Sequence, residues 1–277
     1  MGKDMSKAAK AVAYVFLVLL STVMILPFFW TTITSFKQQT EILTWPPKFL
    51  PSKIYWGNYE YVIEKIKIGT MFVNSLYIAV VTTFGQLVFC SMAGFAFAKL
   101  RFRFREGLFK AYLATMMVPA MLTLIPRYVI MKGFGMIDTH MSLILPALFG
   151  GPFGVFLMRQ FYLGLPDELM EAARIDGASF PYIFVRVYIP LTRSILSTLA
   201  VFCFMGSWND FLWPLITIQS NDLKTLPIGL ASFQSLYGIK YSLLMAGAVL
   251  AMLPVLVAFL LAQKQFIEGI AVTGLKG

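Results

Sequence analysis

Long apolar runs alternate with shorter polar segments along the 277-residue chain. About 20 consecutive apolar residues are enough to cross the hydrocarbon core of a bilayer as a helix. We predict six transmembrane helices, at residues 11–35, 68–98, 111–131, 141–160, 194–218 and 241–263. The predicted fold class is therefore an all-α integral membrane protein, with a single transmembrane domain over residues 1–277.

Prolines fall inside several of these runs and affect how each run is interpreted. The first run continues through Pro27 and is longer than the apolar core of a signal peptide, so we expect it to remain as a span. Pro119 and Pro126 lie in the third run. Pro146 lies in the fourth run, together with the Gly-Gly-Pro segment 150–152. Neighbouring helices can satisfy the backbone groups that such breaks expose. The third and fourth spans accordingly have the least sharply defined boundaries.

Basic residues are concentrated on one side of this topology. Six spans place both termini on the same side, and 14 of the 23 lysines and arginines fall there. The short segment 99–110 alone carries Lys99, Arg101, Arg103, Arg105 and Lys110. Short loops rich in lysine and arginine remain in the cytoplasm during insertion. We therefore predict that the N- and C-termini are cytoplasmic.

Composition agrees with a membrane protein. Hydrophobic residues make up 58% of the chain, charged residues only 13%, and the mean hydropathy is +0.76. A soluble domain typically has about 25% charged residues. The net charge of +10 is accounted for by basic cytoplasmic loops and anionic lipid headgroups, without nucleic acid as a partner.

Few residues could support catalysis or metal binding. Cys90 and Cys203 lie inside apolar runs, where we expect buried reduced thiols rather than a disulfide. His140 is the single histidine, which leaves little material for a metal site or for histidine-based catalysis. The chain has no G-x-x-x-x-G-K-S/T motif, so nucleotide chemistry is expected to belong to another polypeptide.

The longest stretch predicted on the cytoplasmic side contains residues 165–191, LPDELMEAARIDGASFPYIFVRVYIPL. Pro166 suits the first helical position, and Asp167 and Glu168 suit the positive end of the helix dipole. Gly177 is predicted to end this helix in the left-handed conformation. By themselves these residues indicate a short amphipathic helix, which could lie on the membrane surface or dock against a partner.

The same segment contains a spaced motif. Residues 171–173 (EAA) are followed after three residues by Gly177 and, after nine more, by residues 187–190 (VYIP). This order resembles the EAA loop of ABC importer permeases, which have isoleucine and leucine where this chain has Val187 and Ile189. Four further stretches resemble the maltose-type (MalG-like) carbohydrate permeases of the binding-protein-dependent transport system inner membrane component family: residues 34–51, 207–216, 225–233 and 263–277.

The resemblance implies the six-helix fold of type I ABC importer permeases, with a loop that docks on an ATPase subunit. The residues implied to couple to the ATPase are Glu171, Ala172, Ala173, Asp176, Gly177 and Pro190. The resemblance also implies that the cytoplasmic tail 264–277 reaches the ATPase dimer, through Lys276 and Gly277. The ending VTGLKG is a near match to the AGAVKG typical of the family, and a frayed terminus is the alternative for the tail.

Function and partners are implied in the same way. The chain is expected to be a permease subunit of a solute-binding-protein-dependent importer for a sugar or oligosaccharide, without enzymatic activity or a cofactor of its own. The expected partners are a second, non-identical permease, an ATPase homodimer that holds ATP and Mg²⁺, and a solute-binding protein that contacts residues 219–240. The expected location is the cell (inner) membrane of a bacterium or archaeon. Glycerol phosphates and polyols remain open as substrates.

Three polar residues in the predicted spans are candidates for a substrate path. Asp210 is the one charged residue of the fifth span, and an ionisable residue inside a span is a functional candidate. Asn209 precedes it, and Asn74 lies in the second span. The alternative is structural, since Asp210 lies toward the outer end of its span beside two tryptophans, and Asn74 suits an interhelical hydrogen bond.

Two other classes of protein have less support from the sequence. A proton- or sodium-coupled secondary transporter usually shows inverted repeats and intramembrane ionisable sites, for which Asp210 alone is thin support. An integral membrane enzyme would need histidine, aspartate or glutamate clustered at one membrane face, and the sequence shows no such cluster. Copurification of an ATPase with the chain would distinguish an importer from both.

Overall fold

A computed structural model describes residues 7–64, 67–235 and 238–274. The first seven helices are α1 (Lys7–Ser35), α2 (Gln39–Ile42), α3 (Gly57–Glu64), α4 (Ile68–Lys99), α5 (Arg105–Ala114), α6 (Ala120–Gly133) and α7 (Met141–Leu148). The remaining helices are α8 (Pro152–Leu163), α9 (Glu168–Ile175), α10 (Phe180–Ile183), α11 (Ile189–Leu191), α12 (Arg193–Trp208), α13 (Leu212–Thr217), α14 (Leu226–Ala231) and α15 (Tyr241–Gly274). Strands β1 (Gln234–Ser235) and β2 (Gly238–Ile239) form a small antiparallel hairpin. The all-α prediction is confirmed apart from this hairpin.

Long apolar helices in the described residues account for the predicted number of spans. Four are long and apolar enough to cross a membrane: Lys7–Ser35, Ile68–Lys99, Met141–Leu163 and Tyr241–Leu260. Two pairs satisfy the same requirement only if each is counted across a sharp bend: Arg105–Met117 with Ala120–Gly133, and Phe180–Leu191 with Arg193–Trp208. Counting both pairs gives six.

The third predicted span, 111–131, is not one straight helix. The helical segments before and after Val118 and Pro119 meet at an angle of 100°. Pro119 has no N–H with which to continue the first helix. The residue before a proline avoids the helical region, and Val118 is accordingly extended, with φ −81° and ψ 116°. Pro119 therefore accounts for the end of the first helical segment.

The fifth predicted span, 194–218, is also divided. Helix α12 ends one residue before Asn209, and α13 begins two residues after Asp210. Both polar residues therefore lie in a break rather than inside a continuous helix. The Asp210 carboxylate accepts a hydrogen bond from the Trp213 backbone N–H at 3.4 Å, a local bond that competes with continuation of the helix.

The chain divides into two compact units, residues 1–68 with 229–253 and residues 69–228 with 254–277. In the first unit, the turn that follows α1 is held by Asn58. The Asn58 side-chain amide donates to the carbonyls of Ser35 and Lys37, both at 2.8 Å. Within α1 itself, only Thr34 and Ser35 are buried, so most of this apolar helix is not covered by the described part of the chain.

In the second unit, α4 packs very closely against α8. A Cβ atom placed on Gly94 would lie 2.6 Å from the Cβ of Met158 and 2.9 Å from the backbone nitrogen of Arg159. Glycine therefore allows the two helices to approach, as small residues do in membrane helix interfaces. The cysteines Cys90 and Cys203 belong to the buried core around this contact, and both are free thiols.

Candidate coupling loop and interior cavity

The segment that resembles the EAA loop forms an exposed helix and turn. Helix α9 begins at Glu168 with Asp167 as its N-cap residue. The prediction that Pro166 occupies the first helical position is therefore wrong by two residues, and Pro166 precedes the cap. Five of the six candidate coupling residues are exposed, namely Glu171, Ala172, Asp176, Gly177 and Pro190, and Ala173 is half-buried.

Gly177 ends α9 in the conformation predicted for it. Its φ is +78°, a left-handed value that is unfavourable for residues with a Cβ. The Gly177 N–H donates to the Arg174 carbonyl at 3.1 Å, and the Ala178 N–H donates to the Ala173 carbonyl at 3.0 Å. These two bonds satisfy carbonyls that the end of the helix would otherwise leave free. No atom lies within 4 Å of a Cβ placed on Gly177, so the turn is open on its outer side.

A lysine at the end of α4 anchors the start of the loop. Lys99 Nζ donates to the Leu165 carbonyl at 2.7 Å and to Asp167 Oδ1 at 2.5 Å. The Lys99 side chain is 4% exposed, whereas the Asp167 side chain is 80% exposed. Hydrogen bonding to Lys99, reinforced by its positive charge, lowers the pKa of the Asp167 carboxyl below its ordinary value. From the sequence, Asp167 was expected only to interact favourably with the positive end of the helix dipole. Its partner was missed because it lies 68 positions away.

The second arm of the loop is the segment Phe180–Leu191, which meets α12 at 84°. It contains one π-helical turn, Phe184–Tyr188. Pro190 follows this turn and cannot donate to the carbonyl four residues back, which accounts for the irregular hydrogen bonding there. Tyr188 is fully buried, with its ring centroid 5.0 Å from that of Phe95. Pro190 is thus next to the bend, and it is exposed like most of the other candidate coupling residues.

One residue of α9 was missed by the motif. Ile175 is 86% exposed, and it lies one helical turn after Glu171 on the same face. The sequence has an apolar side chain four positions after a motif glutamate, and this spacing could have identified Ile175. Together with Ala172, Ile175 gives α9 an apolar surface that docking on a partner would cover.

The predicted tail residues cannot be placed, since Lys276 and Gly277 lie outside the described residues. The backbone of α15 is helical through Gly274. The helix therefore continues past residue 263, where the predicted span ends. Contact of Lys276 and Gly277 with an ATPase stays a prediction.

A cavity of about 330 Å³ lies inside the second unit. Asp210 lines it together with Gln86, Arg127 and Ser207. Asp210 is thus the one member of the predicted substrate path that the described structure brings to this cavity. Arg127 was missed because the sequence placed it near the end of the third span, with nothing to indicate that it faces Asp210.

The other two candidates lie elsewhere. Asn209 is exposed at the end of α12. The Asn74 side chain donates to the carbonyls of Asp222 at 2.8 Å and Lys224 at 3.0 Å. Its neighbour Ser75 accepts a hydrogen bond from the Leu226 N–H at 2.8 Å. Asn74 and Ser75 therefore hold the loop that follows α13 against α4. For Asn74 this is a structural contact, made to a loop backbone rather than to another spanning helix.

Comparison with known proteins identifies the family to which this geometry belongs. The family described as "Binding-protein-dependent transport system inner membrane component" matches residues 86–271. An arabinooligosaccharides transport system permease protein of Bacillus subtilis is 37% identical over 95% of this chain and 94% of its own length. A lactose transport system permease protein of Rhizobium radiobacter is 34% identical over 93% of both chains.

A solved structure has the same fold. It is a crystal structure of a bacterial ABC transporter involved in the import of the acidic polysaccharide alginate, and the match covers 96% of this chain and 100% of that chain with a TM-score of 0.82 and 23% identity. The predicted importer permease fold is thereby confirmed. The orientation of the termini stays a prediction. The chain is a multi-pass membrane protein and belongs to the binding-protein-dependent transport system inner membrane component family, whose permeases work with an ATPase and a solute-binding protein.

Proposed function

We propose that this chain is one of two permease subunits of an ATP-driven importer for oligosaccharides, and that residues 165–191 couple it to the ATPase. The names of the relatives support the substrate class, since they refer to arabinooligosaccharides and lactose. The observation that carries the coupling role is the exposure of the α9 motif face, which the described part of the chain leaves uncovered.

The contacts of the loop suit transmission of movement. Ala172 and Gly177 leave room for close approach of a partner, and Glu171 offers a carboxylate to a basic residue of that partner. The anchor at Lys99 joins the loop to α4. Closure of the ATPase dimer would therefore displace α9 and α4 together, as a rigid-body movement.

The remaining partners complete the transport system. ATP and Mg²⁺ would bind to the ATPase subunits, since this chain has no phosphate-binding glycine motif. A second, non-identical permease would supply the other half of the path. The exposed apolar surface of α1 suits contact with that permease and with lipid. The bacterial sources of the relatives support a bacterial cell membrane. The basic segment 99–110 supports termini in the cytoplasm.

Copurification followed by reconstitution tests this function. The tagged chain is expressed with the neighbouring transport genes of its source and is expected to bring down an ATPase and a second permease. In proteoliposomes supplied with the solute-binding protein, uptake is measured for arabinotriose, lactose, galactotriose and glycerol 3-phosphate. ATP-dependent uptake of at least one oligosaccharide is expected, and an ATPase variant that cannot hydrolyse ATP should abolish it. Uptake driven by a proton or sodium gradient without ATP would contradict the proposal.

A further inference from the structure

The cavity of the second unit combines apolar walls with a few polar side chains. Its polar members are Gln86, Arg127, Ser207 and Asp210. Its apolar lining includes Ile78, Leu143, Phe153, Leu199 and Phe202. A volume of about 330 Å³ is near the lower limit of ligand pockets, which starts at roughly 300 Å³. The cavity therefore suits a ligand portion about the size of one sugar ring.

Two opposite charges face this cavity. Arg127 lies in α6, and Asp210 lies in the break between α12 and α13. Within the described part of the chain, the two side chains do not form a contact ion pair, and the buried Arg127 Nε has no hydrogen-bond partner. Charges among apolar spans are costly and typically mark the path of a substrate or ion. Both side chains thus retain hydrogen-bonding capacity for a ligand.

Trp213 holds both charged residues in place. Its ring lies under the Arg127 guanidinium, 3.9 Å from the guanidinium carbon to the ring centroid. Its backbone N–H donates to Asp210 Oδ1 at 3.4 Å, and its indole Nε1–H donates to the Ser142 carbonyl at 2.9 Å. The Trp213 side chain is itself buried, since the residue is only 4% exposed. The buried Trp213 therefore positions both Arg127 and Asp210, which do not hold each other through an ion pair.

The donor and acceptor pattern selects the chemistry of the ligand. Arg127 only donates hydrogen bonds, and an ionised Asp210 only accepts them. A sugar hydroxyl does both, so neighbouring hydroxyls of one ring can satisfy the two residues at once. A simple anion would be attracted by Arg127 but repelled by Asp210. A simple cation would be attracted by Asp210 but repelled by Arg127.

We infer that Arg127 and Asp210 form a binding site for a neutral sugar ring in transit through this permease. Asp210 accepts hydrogen bonds from ring hydroxyls, Arg127 donates to them, and Gln86 and Ser207 extend the polar path along the cavity wall. This inference rests on the proposed import of oligosaccharides and adds the residues that contact the sugar.

The test uses the complete importer in proteoliposomes, with the oligosaccharide that the wild type transports best. D210N and R127Q are each expected to lower the uptake rate about tenfold or more, because each removes a charged hydrogen-bonding partner. Basal ATP hydrolysis is measured in the same preparations to show that each complex has assembled. The matched controls R103Q and E60Q remove the same charges from exposed side chains that do not line the cavity, and they should transport normally.

The location of the sugar is tested separately by photolabelling. A diazirine derivative of the same oligosaccharide is added to the wild-type complex during ATP turnover, and labelled peptides are mapped. Label is expected on the α12–α13 segment around Ser207 and Asp210, and excess unlabelled sugar should remove it. If D210N or R127Q does not assemble, the position of the competed label in the wild type decides the proposal by itself.

The outcomes separate the two proposals. Failure of the wild type to import any oligosaccharide overturns the proposed function and this site with it. Normal wild-type import combined with unchanged uptake in D210N and R127Q overturns the sugar site alone. Competed label confined to other segments also overturns the site, because the sugar would then pass elsewhere in the complex.

Discussion

Helix α4 holds a loop at each of its two ends, but it does so with different chemistry. At one end, the neutral side chains of Asn74 and Ser75 bond to backbone groups of the loop after α13. At the other end, the positive charge of Lys99 holds the backbone carbonyl of Leu165 and the carboxylate of Asp167. Neutral bonds to the backbone fix a geometry that does not depend on pH or salt. The strength of the charged anchor varies with salt and pH, because the Asp167 side chain is largely exposed to solvent.

The two ends of α4 are joined by one helix that is packed tightly near its Lys99 end. Close packing at Gly94 against α8 means that the helix cannot bend freely between its ends. A displacement of the loop anchored at Lys99 would thus reach the loop held by Asn74 and Ser75. The two loops are those for which contact with an ATPase and with a solute-binding protein is predicted.

The largest effect is expected from disrupting the packing of α4 at Gly94, near its Lys99 end. Gly94→Leu would place side-chain atoms where Met158 and the backbone of Arg159 already lie, and overpacking typically costs about 1–3 kcal/mol, more where the backbone blocks the added atoms. The expected result is loss of most folded protein, measured by fluorescence-detected gel filtration and thermal melting. Gly107→Leu is the matched control, because no atom lies within 4 Å of a Cβ at that helical glycine. Equal folding of both variants would show that α4 and α8 are not tightly packed.

The second-largest effect is expected in the loop that Lys99 anchors. Gly177→Asp is expected to abolish uptake while leaving membrane insertion and assembly intact, because the turn is exposed and open. Uptake is measured in proteoliposomes, and assembly by copurification of the ATPase. Gly135→Asp is a close control, since Gly135 also has a positive φ, +66°, and open surroundings. Comparable loss of uptake in both variants would assign the defect to backbone strain rather than to docking.

A moderate effect is expected at the neutral end. Ser75→Ala removes the acceptor of the buried Leu226 N–H, and an unsatisfied buried donor costs about 1–3 kcal/mol. The melting temperature of the purified complex should fall, and Ser75→Thr, which keeps the hydroxyl, should restore most of it. Ser91→Ala serves as a control because the Ser91 hydroxyl bonds to a carbonyl of its own helix. An unchanged melting temperature for Ser75→Ala would mean that the loop is held by other contacts.

The smallest effect is the pH dependence of the Lys99 anchor. The folded-state pKa of Asp167 is lowered from 3.8, so its stabilisation is fully present above that value and is lost as the pH falls through the lowered pKa. The difference in melting temperature between wild type and Asp167→Asn should be small, constant from pH 6 to pH 8, and absent in strong acid. Lys99→Met should remove the difference at every pH. A difference that changed near neutral pH would point to another titrating group.

Some features of the site follow directly from short stretches of sequence. The α4 helix occupies Ile68–Lys99, within one residue of the predicted 68–98, because its position depends only on an uninterrupted apolar run. The left-handed turn at Gly177 was predictable because the preference of glycine for positive φ is a local property. The EAA spacing identified the family for the same reason, since the motif is confined to one loop.

Other features needed the tertiary structure. The 100° bend at Pro119 depends on what surrounds a proline, since prolines are also tolerated within spans. The break at Asp210 appeared in the sequence as part of a continuous apolar run. Hydropathy could not indicate that Asp210 and Arg127 line the same cavity, because the two residues belong to different spans.

The sequence by itself therefore determined the membrane class, the uninterrupted helices such as α4 and the turn at Gly177, all of which depend on hydrophobicity and on local backbone preferences. Only the tertiary structure decided which charged side chains come near one another. Lys99 forms an ion pair with Asp167, and Arg127 and Asp210 line the same cavity. The physical reason is that a charge among apolar spans is tolerated only where packing brings it a partner or a polar cavity, and packing is set by the whole chain.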